Sequence, residues 1–376
     1  MRLESLDVVV VGAGIIGCAS ARALADAGLR VGVVDPASPG SQASSAAAGL
    51  LSPQYECDEP GPLFQLGDRS RALYPEFAAE LRSETGIDVE LRAEGTLVLA
   101  LTLEDESILR QREAWQREAD LAVELVEAEQ LRELEPWAAP TARCGLFLPN
   151  DIQADNVKLC EALVTALKRR SVSWFLGKSA SAVKIRDGRL EGVRLSSDDL
   201  IPAEQVVIAA GAWSGGLSGL PRRLPVRPIR GQMVQLEDAK SPLQLTLASR
   251  RGYVVPRLDG RILAGSTIED VGFERDPTAA GVLSVFSAAF EIAPALSEAR
   301  LTGVWAGFRP GTPDELPILG EDPEVPGLIY ATGHFRNGIL LAPITAKIVA
   351  GLAMGGESVV ELSHFRAERF SEREAA

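Results

Sequence analysis

The stretch Asp7–Asp35, DVVVVGAGIIGCASARALADAGLRVGVVD, constrains the fold more than any other, because it reads as a complete strand, tight turn, helix and second strand. Val8–Val11 has the length and β-branched content of a buried strand. It runs into Gly12-Ala13-Gly14-Ile15-Ile16-Gly17, a G-x-G-x-x-G in the context that gives the pattern meaning. Gly12 permits the sharp turn, Gly14 lets the backbone approach a pyrophosphate, and Gly17 lets the helix pack close to the strand. The helix N-terminus offers free N–H groups and a positive dipole end to phosphate. Ala19, Ala21, Ala23, Leu24 and Ala27 carry the helix to Gly28, and Val31–Val34 leads to Asp35, placed to accept hydrogen bonds from a ribose diol. A glycine-rich turn that binds nothing is the weaker reading in this context. The unit does not separate NAD from FAD.

A chain of 376 residues suggests two domains, and 46% hydrophobic against 24% charged residues is the profile of a soluble globular protein. A net charge of −14 argues against a nucleic-acid partner. Cys18, Cys57, Cys144 and Cys160 are scattered and the histidines are only His334 and His364, so neither a metal site nor a disulfide framework is expected. The cytoplasm is the natural compartment. Arg2, the apolar run and Cys18-Ala19-Ser20-Ala21 imitate a secretory signal, but Glu4, Asp7 and the phosphate-binding turn argue against one. Ile339–Met354 contains Pro343 and Lys347 and falls short of the roughly 20 residues that span a bilayer, so no stable membrane insertion is expected.

Beyond Asp35, Pro36–Gly40 is turn-rich, and the small residues from Ser41 to Pro53 suit a backbone lying flat against a planar ligand, with a flexible linker as the alternative. A helix is predicted over 62–84, short strands within 87–101, and a helix with a solvated face over Leu103–Ala119. Gly145–Asp155 reads as a return to the first domain, followed by a helix over Asn156–Arg170. Val183–Ile185 and Leu190–Leu195 flank the turn pair Asp187-Gly188. Gln205–Ala210 is a buried strand ending in Gly211-Ala212-Trp213, which suits close approach to a cofactor. From Pro221 to Gly303 the pattern is antiparallel. Asp259-Gly260 predicts a two-residue hairpin in which Leu258 pairs with Arg261, Tyr253 lies opposite Ser266, and Ile268 shares the face of Tyr253. On periodicity alone, Tyr253 is as readily an ordinary strand tyrosine as a pocket phenol. Arg309, amid apolar and glycine residues, is either paired in the core or presented to an anion. Leu328–Pro343 reads as a strand, a glycine-bounded turn and a helix opening whose N-terminus is available to an electron-rich group. The polar tail after Glu361 is expected to fray.

The segments VVVVGAGIIGCASARALADAG with Asp35, ASSAAAGLLSPQ, VVIAAGAWS, GYVVPR, ILAGSTIED, WAGFRPGTPDELPILG and ATGHFRNGILLAP span nearly the whole chain. Together they resemble the D-amino-acid-oxidase-like FAD oxidoreductases, most of all the glycine-oxidising members associated with thiazole formation in thiamine biosynthesis. The expected fold is α/β in two domains: a Rossmann-like FAD-binding domain from 1–84, 145–219 and 304–376, and a substrate-binding domain with a mostly antiparallel sheet from 85–144 and 220–303.

The resemblance implies FAD as cofactor. Gly12, Ala13, Gly14, Ile15, Ile16 and Gly17 would hold its diphosphate and Asp35 its ribose. Ser44, Ser45, Ala48, Gly49 and Leu50 would run beside diphosphate and flavin, and Gly211 and Trp213 would border it. Gly333, His334, Arg336, Asn337, Gly338 and Ile339 would face the flavin pyrimidine end. Arg309 matches the arginine that clamps a substrate carboxylate, whose planar fork suits a bidentate contact. Tyr253 matches a tyrosine donating to the same carboxylate, and Arg336 a second basic residue beside it; these three carry the catalytic expectation. Ile268 stands where such relatives have methionine, with Gly49 and Leu50 completing the substrate wall. Asp35 replaces the commoner glutamate, and the basic residue often found after it is missing. Where sarcosine oxidases tether flavin through cysteine this chain has Gly307, and no cysteine follows Cys160, so the FAD is expected to be non-covalent.

The implied activity is oxidation of glycine and other small amines, among them sarcosine and small D-amino acids, by hydride transfer to flavin N5, with oxygen as acceptor and hydrogen peroxide, ammonia and glyoxylate as products. His334 is expected to contribute backbone and packing rather than acid–base chemistry, and the resemblance implies a homo-oligomer, a tetramer in the family. The alternatives are a D-amino-acid or hydroxyproline dehydrogenase passing electrons to a quinone or electron-transfer protein, a glycine-oxidising hydrogen cyanide synthase subunit, and a non-catalytic flavoprotein scaffold. Retention of Tyr253, Arg309 and Arg336 together speaks against the scaffold.

Overall fold

The computed structural model describes residues 5–238, 241 and 243–370. Strand β1 (Leu6–Val11), helix α1 (Ile15–Asp26) and strand β2 (Val31–Asp35) form the expected unit, β1 and β2 lying parallel with Val10 opposite Val33. β1 also pairs in parallel with Leu200–Ile208, Val9 opposite Val206, and the sheet extends in parallel to Leu328–Thr332 on one side and Ser173–Leu176 on the other. Ile318–Glu321 closes one edge antiparallel. The valines of β1 are fully buried, which fits a strand with helices packed on its sheet. One such layer combines α1 with the helices Pro62–Thr85, Asn156–Lys168 and Ala342–Ala353 around a common core.

The helix ends are chemically specified. Asp155 accepts hydrogen bonds from the N–H groups of Val157 and Lys158 to cap Asn156–Lys168, and Thr102 and Asp105 form a capping box at the start of Leu103–Glu118. Pro62–Thr85 ends on Gly86 in the left-handed conformation.

The second sheet orders Arg300–Gly311, Arg227–Glu237, Arg261–Gly265, Tyr253–Pro256, Thr246–Ala248, Thr96–Ala100, Cys144–Leu148 and Glu124–Glu127. Only the contact of Thr246–Ala248 with Thr96–Ala100 is parallel; its other pairings are antiparallel. Helix Ala279–Ile292 packs on this sheet through Val285, Ala289 and Ile292. No helix among the described residues is long and apolar enough to cross a membrane.

Several local expectations are corrected. Cys144–Leu148 belongs to the second sheet, between Thr96–Ala100 and Glu124–Glu127, so residues 145–148 do not return to the first. Its apolar run signals a buried strand without saying which sheet buries it. Likewise Arg300–Gly311 carries the second sheet past 304, because Arg227–Glu237 pairs with it as far as Gly311. Within 87–101 only Thr96–Ala100 is a strand, and Arg92 makes an isolated bridge to Gln153.

The Asp187-Gly188 hairpin forms with positive φ at both residues, matching the strand twist. The second hairpin differs from its expected register. Arg257 N–H donates to Arg261 O at 2.8 Å, leaving Leu258, Asp259 and Gly260 as a three-residue loop with Gly260 at φ +87°. A turn followed by a left-handed glycine is the common three-residue hairpin loop, and the shift places Tyr253 opposite Gly265 instead of Ser266. Beyond Glu361, Leu362, Phe365 and Ala367 are buried and Arg369 pairs with Asp314, so this segment is docked as far as Phe370; the expected fraying of 371–376 lies outside the described residues.

The glycines of the first turn are fixed by contact. A β-carbon on Gly17 would lie 1.9 Å from the carbonyl oxygen of Gly12. Gly17→Ala should therefore cost about 1–3 kcal/mol in urea unfolding; an unchanged midpoint would show that the helix can move away freely.

Candidate active site

A cavity of about 830 Å³ lies between the two sheets. At one end it is walled by Gly12–Ile16, Asp35–Ser38 and Ser41–Ser44, at the other by Tyr253, Ser266, Ile268 and Arg309. This places the C-terminal ends of β1, β2 and Leu200–Ile208 on the cavity, where open α/β sheets bind ligands.

The first end fits a dinucleotide diphosphate. Gly12 takes φ +110°, and a β-carbon there would strike Ala209 O. At Gly14 a β-carbon would meet only Ser44 Oγ, at 3.4 Å, so the backbone faces open space. Ser44 Oγ accepts from Ile15 N–H at 2.9 Å, tying the small-residue segment to the α1 N-terminus. Asp35 accepts from Ala13 N–H at 2.7 Å and from Ala37 N–H at 2.8 Å. Its carboxylate therefore holds the phosphate turn, and its remaining lone pairs face the cavity it lines.

Most other anticipated cofactor residues also line the cavity: Ala13, Ile15, Ile16, Ala48, Gly49, Leu50, Gly211, Trp213, His334, Arg336, Gly338 and Ile339. Gly17, Ser45, Gly333 and Asn337 sit behind the lining. Gly17 packs on Gly12, Ser45 Oγ donates to Gln42 O, Gly333 lies against Thr312, and Asn337 N–H donates to His334 O. The turn that meets the cavity is the 3-10 segment Phe335–Asn337, and the α-helix begins only at Ala342, beyond the lining. The expected helix N-terminus is thus replaced by a tighter turn at this wall.

At the far end Tyr253, Arg309, Arg336 and Ile268 line one space. Ile268 reaches it from beyond strand Arg261–Gly265, not by strand alternation, and is 60% exposed. Tyr253 OH lies 3.4 Å from Ser266 Oγ; Arg309 Nη1 donates to Thr267 O at 3.0 Å and Nη2 to Ser266 Oγ. Enclosure pushes the Arg309 pKa down, with the phenol of Tyr253 as the leading opposing influence. Arg336 Nη2 pairs with Glu56 Oε2 at 2.7 Å, and this carboxylate holds Arg336 in its charged form. Glu56 is not among the residues the sequence singles out; its signal is a charged residue three positions after the Ser52-Pro53 that ends the small-residue segment.

The segment carrying Glu56 is fastened from beneath. Buried Asp151 accepts from the N–H groups of Gln54 and Tyr55, and Arg112 donates to the carbonyls of Gln54, Tyr55 and Cys57. Among the described residues no carboxylate lies within ion-pair distance of Arg309. Arg309, Arg336 and Glu56 thus sum to one uncompensated positive charge, suited to a single small carboxylate.

His334 is buried, its Nε2 3.0 Å from Thr345 Oγ1, and burial lowers its pKa to about 3. It is a neutral packing residue, not a proton carrier. Because the unfolded histidine protonates near 6.5, this burial costs stability as pH falls from 6.5 toward 3. Asp151, raised to about 7 by burial, acts oppositely over an overlapping range, so the His334 effect shows only as a difference. His334→Gln should gain on the wild type by up to about 1.4 kcal/mol for each pH unit below 6 in urea unfolding; a pH-independent difference would mean that His334 titrates normally.

A family model for FAD dependent oxidoreductases matches residues 7–352. A glycine oxidase of Geobacillus kaustophilus (strain HTA426) is 37% identical, covering 96% of this chain and 97% of the relative. The solved structure of glycine oxidase from Geobacillus kaustophilus superposes with a TM-score of 0.93 at 34% identity, covering 98% and 99% of the two chains. A bifunctional protein ThiO/ThiG of Nostoc sp. (strain PCC 7120) is 36% identical over 98% of this chain and 56% of the longer relative.

Proposed function

Because the chain belongs to the D-amino-acid-oxidase-like family of FAD-dependent oxidoreductases and is an FAD-dependent amino acid oxidase, we propose that it oxidises glycine and other small amines, among them sarcosine and small D-amino acids. The observation that carries this reading is Arg309, facing the cavity beside Tyr253 with no carboxylate partner among the described residues. Relatives named glycine oxidase support the substrate, and the ThiO/ThiG relative supports a role in thiazole formation for thiamine biosynthesis.

The bound FAD supplies the hydride acceptor. Arg309 takes the α-carboxylate in its planar fork, held in orientation by Thr267 O and Ser266 Oγ. Tyr253 donates its hydroxyl to the same carboxylate, whose anchoring fixes Cα in the cavity; positioning is then the main contribution of the protein to the rate. Arg336, already neutralised by Glu56, shapes the wall without attracting a second anion. The amine must lose its proton before hydride leaves, and with His334 buried and neutral that proton goes to solvent. The sum is glycine, oxygen and water converted to glyoxylate, ammonia and hydrogen peroxide.

Non-covalent binding of FAD is supported at Gly307, where a β-carbon would meet Ala46 Cβ at 2.6 Å, and by the absence of the four cysteines from the cavity lining. Acid precipitation should leave the flavin in the supernatant.

The purified holoprotein should bleach on anaerobic addition of glycine and recover in air with one peroxide per turnover. No bleaching by glycine excludes it as substrate, and bleaching without recovery makes the protein a dehydrogenase. Arg309→Ala should raise the glycine concentration for half-maximal bleaching by about 10- to 150-fold, the loss of a charge-assisted contact worth ~1.5–3 kcal/mol; unchanged half-saturation would remove Arg309 from the clamp.

A further inference from the structure

Alternate residues of strand Tyr253–Pro256 and its extension share a face, so Tyr253, Val255 and Arg257 follow one another toward the first domain. Tyr253 reaches the substrate end of the cavity, and Val255 packs with Ala48 and Leu50. Arg257, only 6% exposed, lies directly behind the same segment. Its Nη2 donates to Ala48 O at 2.8 Å and Asn156 Oδ1 at 3.2 Å, its Nη1 to Ala154 O at 2.9 Å and Gln153 Oε1 at 3.0 Å, and its Nε has no partner among the described residues.

Every one of these acceptors is uncharged. The acid that acts on it most strongly, Asp155, gives one oxygen to the N–H groups of Val157 and Lys158 and the other to Arg261 at 2.8 Å. Burial lowers the Arg257 pKa to about 10, so the group remains a cation at neutral pH. A buried guanidinium without a direct ion pair is costly, and a neutral side chain could hold the same carbonyl-rich pocket with less desolvation. Its charge is also close to the cavity. A β-carbon on Gly49, which lines the cavity, would lie 3.0 Å from Arg257 Nη2, so only the Ala48–Gly49 backbone intervenes.

We propose that Arg257 positions the cavity wall Ala48–Leu50 and that its buried positive charge favours the reduced, negatively charged form of the bound flavin. The inference rests on the placing of the flavin beside Ala48–Leu50. Hydride transfer brings two electrons and one proton from the substrate Cα to the ring, which gains one net negative charge; a fixed cation behind the wall stabilises that state over the neutral oxidised one. Asn156 extends the arrangement, since its Nδ2 donates to Ser44 O and Ser45 O while Ser44 Oγ accepts from Ile15 N–H. One connected set of hydrogen bonds therefore runs from the second sheet to the phosphate-binding helix.

The test is the midpoint potential of the FAD-loaded protein, measured by equilibration with a reference dye, in wild type, Arg257→Gln, Arg257→Lys and Gln153→Glu. Gln153→Glu leaves Arg257 in place and sets a carboxylate on its Nη1, with Thr246 Oγ1, 3.5 Å from Gln153 Nε2, free to turn and donate. Both Gln153→Glu and Arg257→Gln should weaken the preference for reduced over oxidised FAD about tenfold, a fall of about 30 mV for two electrons. Arg257→Lys keeps the charge and should stay near the wild-type potential while binding FAD more weakly, as the fork is lost. Wild-type potentials in Gln153→Glu and Arg257→Gln would overturn the inference, and should Arg257→Gln fail to fold, Gln153→Glu decides alone. The potential is set without substrate, so failure here is separate from failure of glycine to bleach the wild type.

Discussion

Backbone meets backbone at Gly12 with no side chain between. The carbonyl of Ala209 stands where a β-carbon of Gly12 would go, and the carbonyl of Gly12 stands where one of Gly17 would go. This close crossing levels the end of β1 with the end of Leu200–Ile208 and sets α1 with its N-terminus toward the cavity. The rest of the cofactor wall registers on it: Ser44 reaches Ile15, and Asp35 reaches back to Ala13. A helix displaced to make room for one methyl group would carry these attachments away with it.

At the opposite end the governing fact is charge balance. Two arginines face the cavity, and an unbalanced pair of cations would favour a doubly charged ligand over the small zwitterion proposed as substrate. Glu56 resolves this by pairing with Arg336, and the network of Asp151 and Arg112 holds the short segment on which Glu56 sits. Under the proposed function, selectivity for one carboxylate would be built partly by a residue that repels anions.

The fold was legible wherever local chemistry is sufficient. Glycines at fixed spacing, a valine-rich strand and an acid at the end of the next strand specify the first unit without tertiary help. The hairpin at Asp187-Gly188 is readable for the same reason, whereas at Asp259-Gly260 the two-residue expectation lies one residue out of register, because the same dipeptide serves two- and three-residue loops. Sheet membership was not legible for Cys144–Leu148, since an apolar run states that it is buried and not by what. In the site, Arg309 and Tyr253 came from resemblance to a family; periodicity left both undecided. Glu56 and Arg257 escaped because their meaning lies in partners far away in sequence, Arg336 for one and Ala48 and Gln153 for the other.

Strand Arg300–Gly311 belongs to the second sheet along its whole length, yet it touches the first domain at several points. Trp305 Nε1 donates to Ala46 O, Gly307 abuts Ala46, and two residues later Arg309 lines the cavity. A single rod thus bears on both the loop at Ala46 and the cavity-facing Arg309. Swinging the two sheets apart would bend that rod and pull Arg309 off its seat. The exposed pair Trp213 and Phe273, stacked at 5.1 Å, packs edge-on against Phe308, so the residue just before Arg309 on the rod is braced by aromatic rings from two other segments.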